Sequence, residues 1–125
     1  MDKFSVIIAG SRDFSDYELL TIVCDHMLSE KIKTNNIVII SGGARGADSL
    51  GERYAKERGF ELEIHPADWD RYGKSAGYRR NKEMAESADA CICFWDGESR
   101  GTKHMIDIAT DKGLKLKVVN YGSKK

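Results

Sequence analysis

The sequence has little net charge, few cysteines and no long apolar run, and each shortage removes a class of function. Its 125 residues carry 20 Lys and Arg against 20 Asp and Glu, a formal net charge of zero. Such a chain lacks the broad positive field that wraps DNA or an anionic membrane, although a small basic pocket remains open to it. Three cysteines, Cys24, Cys91 and Cys93, make no disulfide framework. No second Cys or His pair stands at zinc-ligand spacing, so no metal and no resident cofactor is expected. Cys91 and Cys93 flank one residue of an apolar run, which puts both on one face of a buried strand as packing groups. No apolar run approaches the ~20 residues that cross a bilayer. The start, Met1-Asp2-Lys3-Phe4, is unlike a secretory signal, and a reduced, cytoplasmic setting is expected. Internal repeats, linkers and low-complexity tracts are missing too.

What remains is an ordinary soluble mixture, 41% hydrophobic and 32% charged. A chain of this length buries roughly two-thirds of its unfolded surface and needs no staples. One domain over residues 1–121 is expected, with a flexible tail at 122–125. Short β-branched runs alternate with helical patterns, the signature of a parallel α/β sheet. Strands are predicted at residues 4–9, 37–40, 61–65, 90–95 and 115–119. Helices are predicted at 15–30, 47–58, 77–88 and 102–112, the first opening on a Ser15–Glu18 capping box. Gly59 and Gly113 stand at helix ends, where a left-handed residue is needed. Residues 67–76 show no periodicity and are predicted as a polar, aromatic functional loop. The fold class is α/β: a Rossmann-like three-layer sandwich with a mostly parallel sheet of about five strands.

Chemistry-bearing residues crowd the strand-to-helix junctions, while the opposite junctions, such as residues 31–36, are bland. In open α/β sheets ligands bind at the C-terminal strand ends, so this asymmetry points to a site. The first junction offers Gly10 for close backbone approach, and Ser11 and Arg12 for a phosphate. The second reads Ser41-Gly42-Gly43-Ala44-Arg45-Gly46-Ala47-Asp48. Three glycines in five positions free backbone amides to face an anion at a helix N-terminus. No Gly-Lys-Ser/Thr follows, so this is not a P-loop, nor is it the spaced dinucleotide fingerprint. Asp48 either caps the helix or holds a ribose hydroxyl. The third junction interleaves Asp68, Trp69, Tyr72 and Lys74 with Arg79 and Arg80, a mixture suited to base stacking and phosphate contact. Arg79 and Arg80 are adjacent, so one of them faces a ligand. The fourth, Asp96-Gly97-Glu98-Ser99-Arg100-Gly101-Thr102, is a second candidate phosphate cradle or an ordinary cap. His26, His65 and His104 are expected to play structural or surface roles.

The strings GSRDF, SGGARGAD, ADWDRYGKSAGYRRN and WDGESRGTKHMI span residues 10 to 106. Together they resemble the SLOG superfamily, which includes the DNA-processing protein A family and the Lonely Guy phosphoribohydrolases. The resemblance is closest to its YspA-type, YpsA-related family of small stand-alone domains. SGGARGAD is similar to a motif of the DNA-processing family, which binds single-stranded DNA. The segment from Arg80 to Met84, followed by Gly101-Thr102, resembles the Lonely Guy pattern, whose enzymes cleave the N-glycosidic bond of nucleoside 5′-monophosphates. Here Met105 takes the place of the Glu that such a pattern carries, and Met cannot act as an acid or base. Arg80 and Glu98 remain weak candidates for a catalytic part.

The resemblance implies a binding module or sensor for a nucleotide or NAD-derived, ADP-ribose-like nucleotide. The expected ligand contacts are Gly10, Ser11 and Arg12; Ser41, Gly42, Gly43, Arg45, Gly46 and Asp48; Asp68, Trp69 and Arg80; and Ser99, Arg100, Gly101 and Thr102. Trp69 or Tyr72 would cover the base. The alternatives are a nucleotide N-glycosidase or phosphoribohydrolase, and single-stranded DNA binding. No membrane partner is expected; a homodimer is possible.

Overall fold

A strand sends successive side chains to opposite faces, so a strand apolar at every position needs cover on both sides. Residues 6–9, 37–40 and 90–94 are such runs, and all are buried. In the computed structural model, which describes residues 2–122, they form the centre of one five-stranded parallel sheet. The strands are β1 (Lys3–Gly10), β2 (Asn36–Ser41), β3 (Glu61–Ile64), β4 (Ala90–Trp95) and β5 (Lys115–Asn120). Their order is β3-β2-β1-β4-β5. The three central strands are the three apolar ones. The edge strands carry Glu61 and Glu63 on one side and Lys115 and Lys117 on the other, charges that discourage pairing with another sheet.

Four long helices cover the faces: α1 (Tyr17–Leu28), α3 (Ala47–Arg58), α5 (Ala76–Ser87) and α6 (Arg100–Asp111). On one face Val6, Ile8, Ile39 and Phe94 pack against Leu20 and Cys24 of α1 and Tyr54 of α3. On the other, Ile7, Ile40, Cys91 and Cys93 pack against Met84 of α5 and Met105 of α6. The Cys91 and Cys93 sulfurs lie 3.5 Å apart inside this second cluster, the packing role expected of them. The result is the three-layer, Rossmann-like sandwich.

Several boundaries differ from the sequence reading. Asp16, not Ser15, caps α1, its carboxylate accepting from the Leu19 amide at 3.0 Å. An anionic cap at the next position meets the helix dipole better than a hydroxyl does. The bland segment at 31–36 holds one helical turn, α2 (Lys31–Thr34). Residues 67–76 are not structureless: Asp68 caps a short α4 (Trp69–Tyr72), and a 3-10 turn (Gly73–Ser75) leads into α5. α6 begins two residues early, at Arg100, because Ser99 accepts the Thr102 amide. Of the expected tail, Gly122 donates its amide to Asn120, and a Cβ there would overlap the Asp96 backbone. Residues 123–125 lie outside the described residues.

Two glycines separate the cost of a backbone angle from the cost of a close approach. Gly59 caps α3 at φ +72° with nothing within 4 Å of a built Cβ. Gly46, at φ +80°, holds its Cα against the carbonyls of Ser11 and Arg12. Gly59→Ala is therefore expected to cost ~1 kcal/mol and Gly46→Ala ~3 kcal/mol or more, read by urea unfolding. Equal costs would show that the approach at Gly46 is not tight.

Candidate functional site

The order β3-β2-β1-β4-β5 reverses direction between β1 and β4, and the crevice beyond the C-terminal ends of such strands is where open α/β sheets take ligands. Three loops converge there, and Ser11 ties them. Its amide donates to the Phe94 carbonyl at 3.0 Å, closing the end of β1 on the end of β4. Its carbonyl accepts from Ala47, the first residue of α3, and from Phe14. Its hydroxyl accepts from the Asp96 amide at 3.1 Å. Gly10 makes this possible: a Cβ there would overlap the Phe94 carbonyl and meet the Ala47 side chain.

Above this knot lies a cleft of about 510 Å³, within the range of small-molecule sites. Its floor includes Ser11, Met84, Thr102 and Met105, all buried. Arg12, Asp48, Arg80 and Asn81 stand in its wall, and Trp69 and Tyr78 line it while remaining 49% and 44% exposed. Large half-exposed aromatics beside a polar cleft offer stacking surface. A second chamber of about 400 Å³ adjoins it, lined by Gly42, Gly43, Arg45, Pro66 and Ala67. The chambers share Arg12, Ala44, Trp69 and Arg80.

Arg80 is held in place at that junction. One terminal nitrogen donates to the Gly42 carbonyl, and Nε donates to Asn81 Oδ1 at 3.0 Å. Asn81 in turn donates to the Gly101 carbonyl at 3.2 Å, which fixes α5 to the start of α6. Asp48 lies across the same wall, its Oδ2 accepting from the Ala44 amide at 3.3 Å. Burial pushes the Asp48 carboxyl up to about 6, against the hydrogen bond from Ala44 and the attraction of Arg80 and Arg12. Burial likewise lowers Arg80, and Asp48 opposes that shift. The pair is therefore a desolvated charge couple facing a cleft, the environment in which functional groups are found. Asp96 is the reverse case: amides of Glu98 and Ser99 hold its carboxyl below the ordinary range.

Gly10, Ser11, Arg12, Asp48, Trp69, Arg80, Ser99, Gly101 and Thr102 of the expected residues line the main cleft, and Gly42, Gly43 and Arg45 line the second chamber. The others lie elsewhere. Ser41 is buried beneath the loop, its hydroxyl bonded to Glu52 and to the Gly43 amide. Gly46 packs on the first loop. The Asp68 carboxylate accepts from the Arg71 amide and caps α4. Arg100 and Glu98 are exposed and line neither chamber. Arg79 lies over the Tyr72 ring at 4.2 Å, leaving Arg80 as the inward one of the pair. Tyr72 lines neither chamber; Tyr78 takes the place expected for it. Asn81 lines the cleft and was not among the expected contacts. Its signal was present: it sits three and four residues before Met84 and Ala85, a polar side chain on an apolar stripe.

Of the histidines, His26 is exposed on α1. His65 sits between Glu63 and Glu83 at 2.6 and 3.0 Å, whose hydrogen bonds raise it despite burial. His104 meets the Tyr78 ring edge-on.

Fold and cleft define a doubly wound α/β domain with a polar cleft at its switch point. The chain belongs to the YspA, cpYpsA-related SLOG family, whose model matches residues 4–72. The Gene 61 protein of Mycobacterium phage D29 is 40% identical over 126 residues, spanning 95% of this chain and 97% of the phage protein. The solved structure of TM1055 superposes with a TM-score of 0.62 at 19% identity, covering 93% of this chain and 72% of that one. That likeness is one of fold, the Rossmann-like sandwich described above.

The raised Asp48 carboxyl has a consequence for stability. Its folded pKa lies above the ordinary 3.8, so the stability it contributes is full below pH 3.8 and is lost as pH rises through about 6. A shift of this size is worth ~3 kcal/mol. Asp48→Asn should therefore match the wild type near pH 4 and be more stable, by up to ~3 kcal/mol, at pH 7.5. Urea unfolding of both proteins at the two pH values checks it, and an unchanged difference would contradict the assignment.

Proposed function

We propose that this chain is a nucleotide-binding module. The family and fold suggest a nucleotide-related binding or glycosidase-like role, and the site residues favour binding. The observation that carries the reading is Arg80, fixed on Gly42 and Asn81 at the meeting point of an aromatic-lipped cleft and an arginine-lined chamber. A guanidinium held this way loses little freedom on meeting a phosphate. Arg12 faces the same junction and makes no hydrogen bond or ion pair among the described residues. A phosphate between Arg12 and Arg80 puts the attached nucleoside in the main cleft. There Asp48 is placed to accept ribose hydroxyls, and Trp69 and Tyr78 to cover the base. An NAD-derived, ADP-ribose-like nucleotide is the ligand class that the family resemblance favours, with sensing as the role.

The hydrolytic reading has less support. Met105 is buried in the cleft floor, so a thioether stands where a Lonely Guy enzyme's carboxylate is expected. Glu98, the other candidate, lines neither chamber. Asp48 is the carboxylate of the cleft with a raised pKa, so released free base would identify it as the group to mutate.

Thermal unfolding with nucleoside monophosphates and diphosphates, NAD and ADP-ribose tests binding. A ligand at about a hundred times its dissociation constant adds ~2.7 kcal/mol, a readily measured shift. Gly42→Ala should reduce that shift, because the new Cβ meets the Arg80 guanidinium and the Asp48 carboxylate. The Gly42 backbone itself tolerates alanine, since its φ is not positive. No shift with any of these compounds would overturn the proposal.

A further inference from the structure

The two chambers differ in charge, and the difference constrains the ligand. The main cleft includes three carboxylates, Asp13, Asp48 and Asp96. The second chamber has none in its lining and has three guanidiniums, those of Arg12, Arg45 and Arg80. Arg80 is partly committed to Gly42 and Asn81. Arg45 is exposed and, like Arg12, makes no hydrogen bond or ion pair among the described residues. Like charges gathered in one concavity repel, and an anion relieves that repulsion.

The division of the arginines matters. Arg12 and Arg80 border both chambers, so one phosphate at the junction can meet both. Arg45 lines only the second chamber, beyond that phosphate. Gly42 and Gly43 form the adjacent wall, where no side chain stands between the backbone and the chamber. Resting on the nucleotide reading above, we propose that the second chamber is a subsite for a second phosphate. The ligand is then a nucleoside diphosphate or a diphosphate ester, with the nucleoside in the main cleft and the distal phosphate on Arg45.

The test is isothermal titration of the full chain with AMP and ADP, GMP and GDP, UMP and UDP, and inorganic pyrophosphate. For the nucleoside that binds, the diphosphate should be about ten-fold tighter than the monophosphate, as one added charge-assisted contact implies. Arg45→Ala should bring the two affinities to within about three-fold of each other; Arg45 is exposed and makes no hydrogen bond or ion pair among the described residues, and circular dichroism of the variant checks that the fold is kept. Equal affinities in the wild type, or an Arg45→Ala variant that weakens both members by the same factor, would overturn the subsite and leave nucleotide binding standing. Binding of pyrophosphate alone, with no nucleotide bound, would overturn the nucleotide reading and this assignment with it. Failure of every compound to bind would overturn both as well.

Discussion

Ser11 uses its amide, its carbonyl and its hydroxyl to hold three loops together, and the geometry of the cleft depends on that knot. The amide closes β1 on β4, the carbonyl receives the first amide of α3, and the hydroxyl receives the amide of Asp96. Each buried hydrogen bond contributes only ~1 kcal/mol net, but an orphaned partner costs more, so the knot resists partial opening. It also imposes a steric condition. Backbone from three loops meets at Gly10 and Gly46, and a Cβ at either position would overlap a neighbouring carbonyl. The glycine-rich second junction is thus partly a packing device: Gly46 brings the loops together, while Gly42 and Gly43 face the chamber.

From that knot the charge arrangement follows. α3 enters the sheet close to β1, which brings Asp48 into the wall opposite Arg80. Burial disfavours the charged form of both groups, and each lessens the other's penalty. Arg12, at the junction, and Arg45, beyond it, make no hydrogen bond or ion pair among the described residues. The proposed anion, carrying a polar, partly aromatic group, matches a cleft that desolvates its acid and fixes one arginine beside these two.

The sheet was legible in the sequence because its three central strands hold uninterrupted apolar runs at 6–9, 37–40 and 90–94, buried on both faces. The cleft's location was legible because glycine, arginine and hydroxyl residues concentrate just beyond the C-terminal ends of β1, β2 and β4. The roles of single residues were less so. Arg79 and Arg80 look alike in sequence, and only the docking of α5 on the sheet decides which faces inward. Asp68 and Arg100 have suitable chemistry, but one caps a helical turn and the other lies outside both chambers. Tyr78 lines the cleft while Tyr72, at the end of the unforeseen α4, lies under the Arg71 and Arg79 guanidiniums instead. Local capping and loop packing decide such cases, and a periodicity in the sequence carries neither.

The central claim is that a phosphate-bearing nucleotide sits at the junction of the two chambers. The most direct measurement is a backbone amide NMR titration of isotopically labelled protein with ADP. The account predicts saturable shifts concentrated at Arg12, Gly42 to Arg45, Arg80 and Gly101, with the opposite end of the sheet, around Asn36 and Phe60, undisturbed. Shifts centred at that opposite end, or none at millimolar ADP, would contradict it.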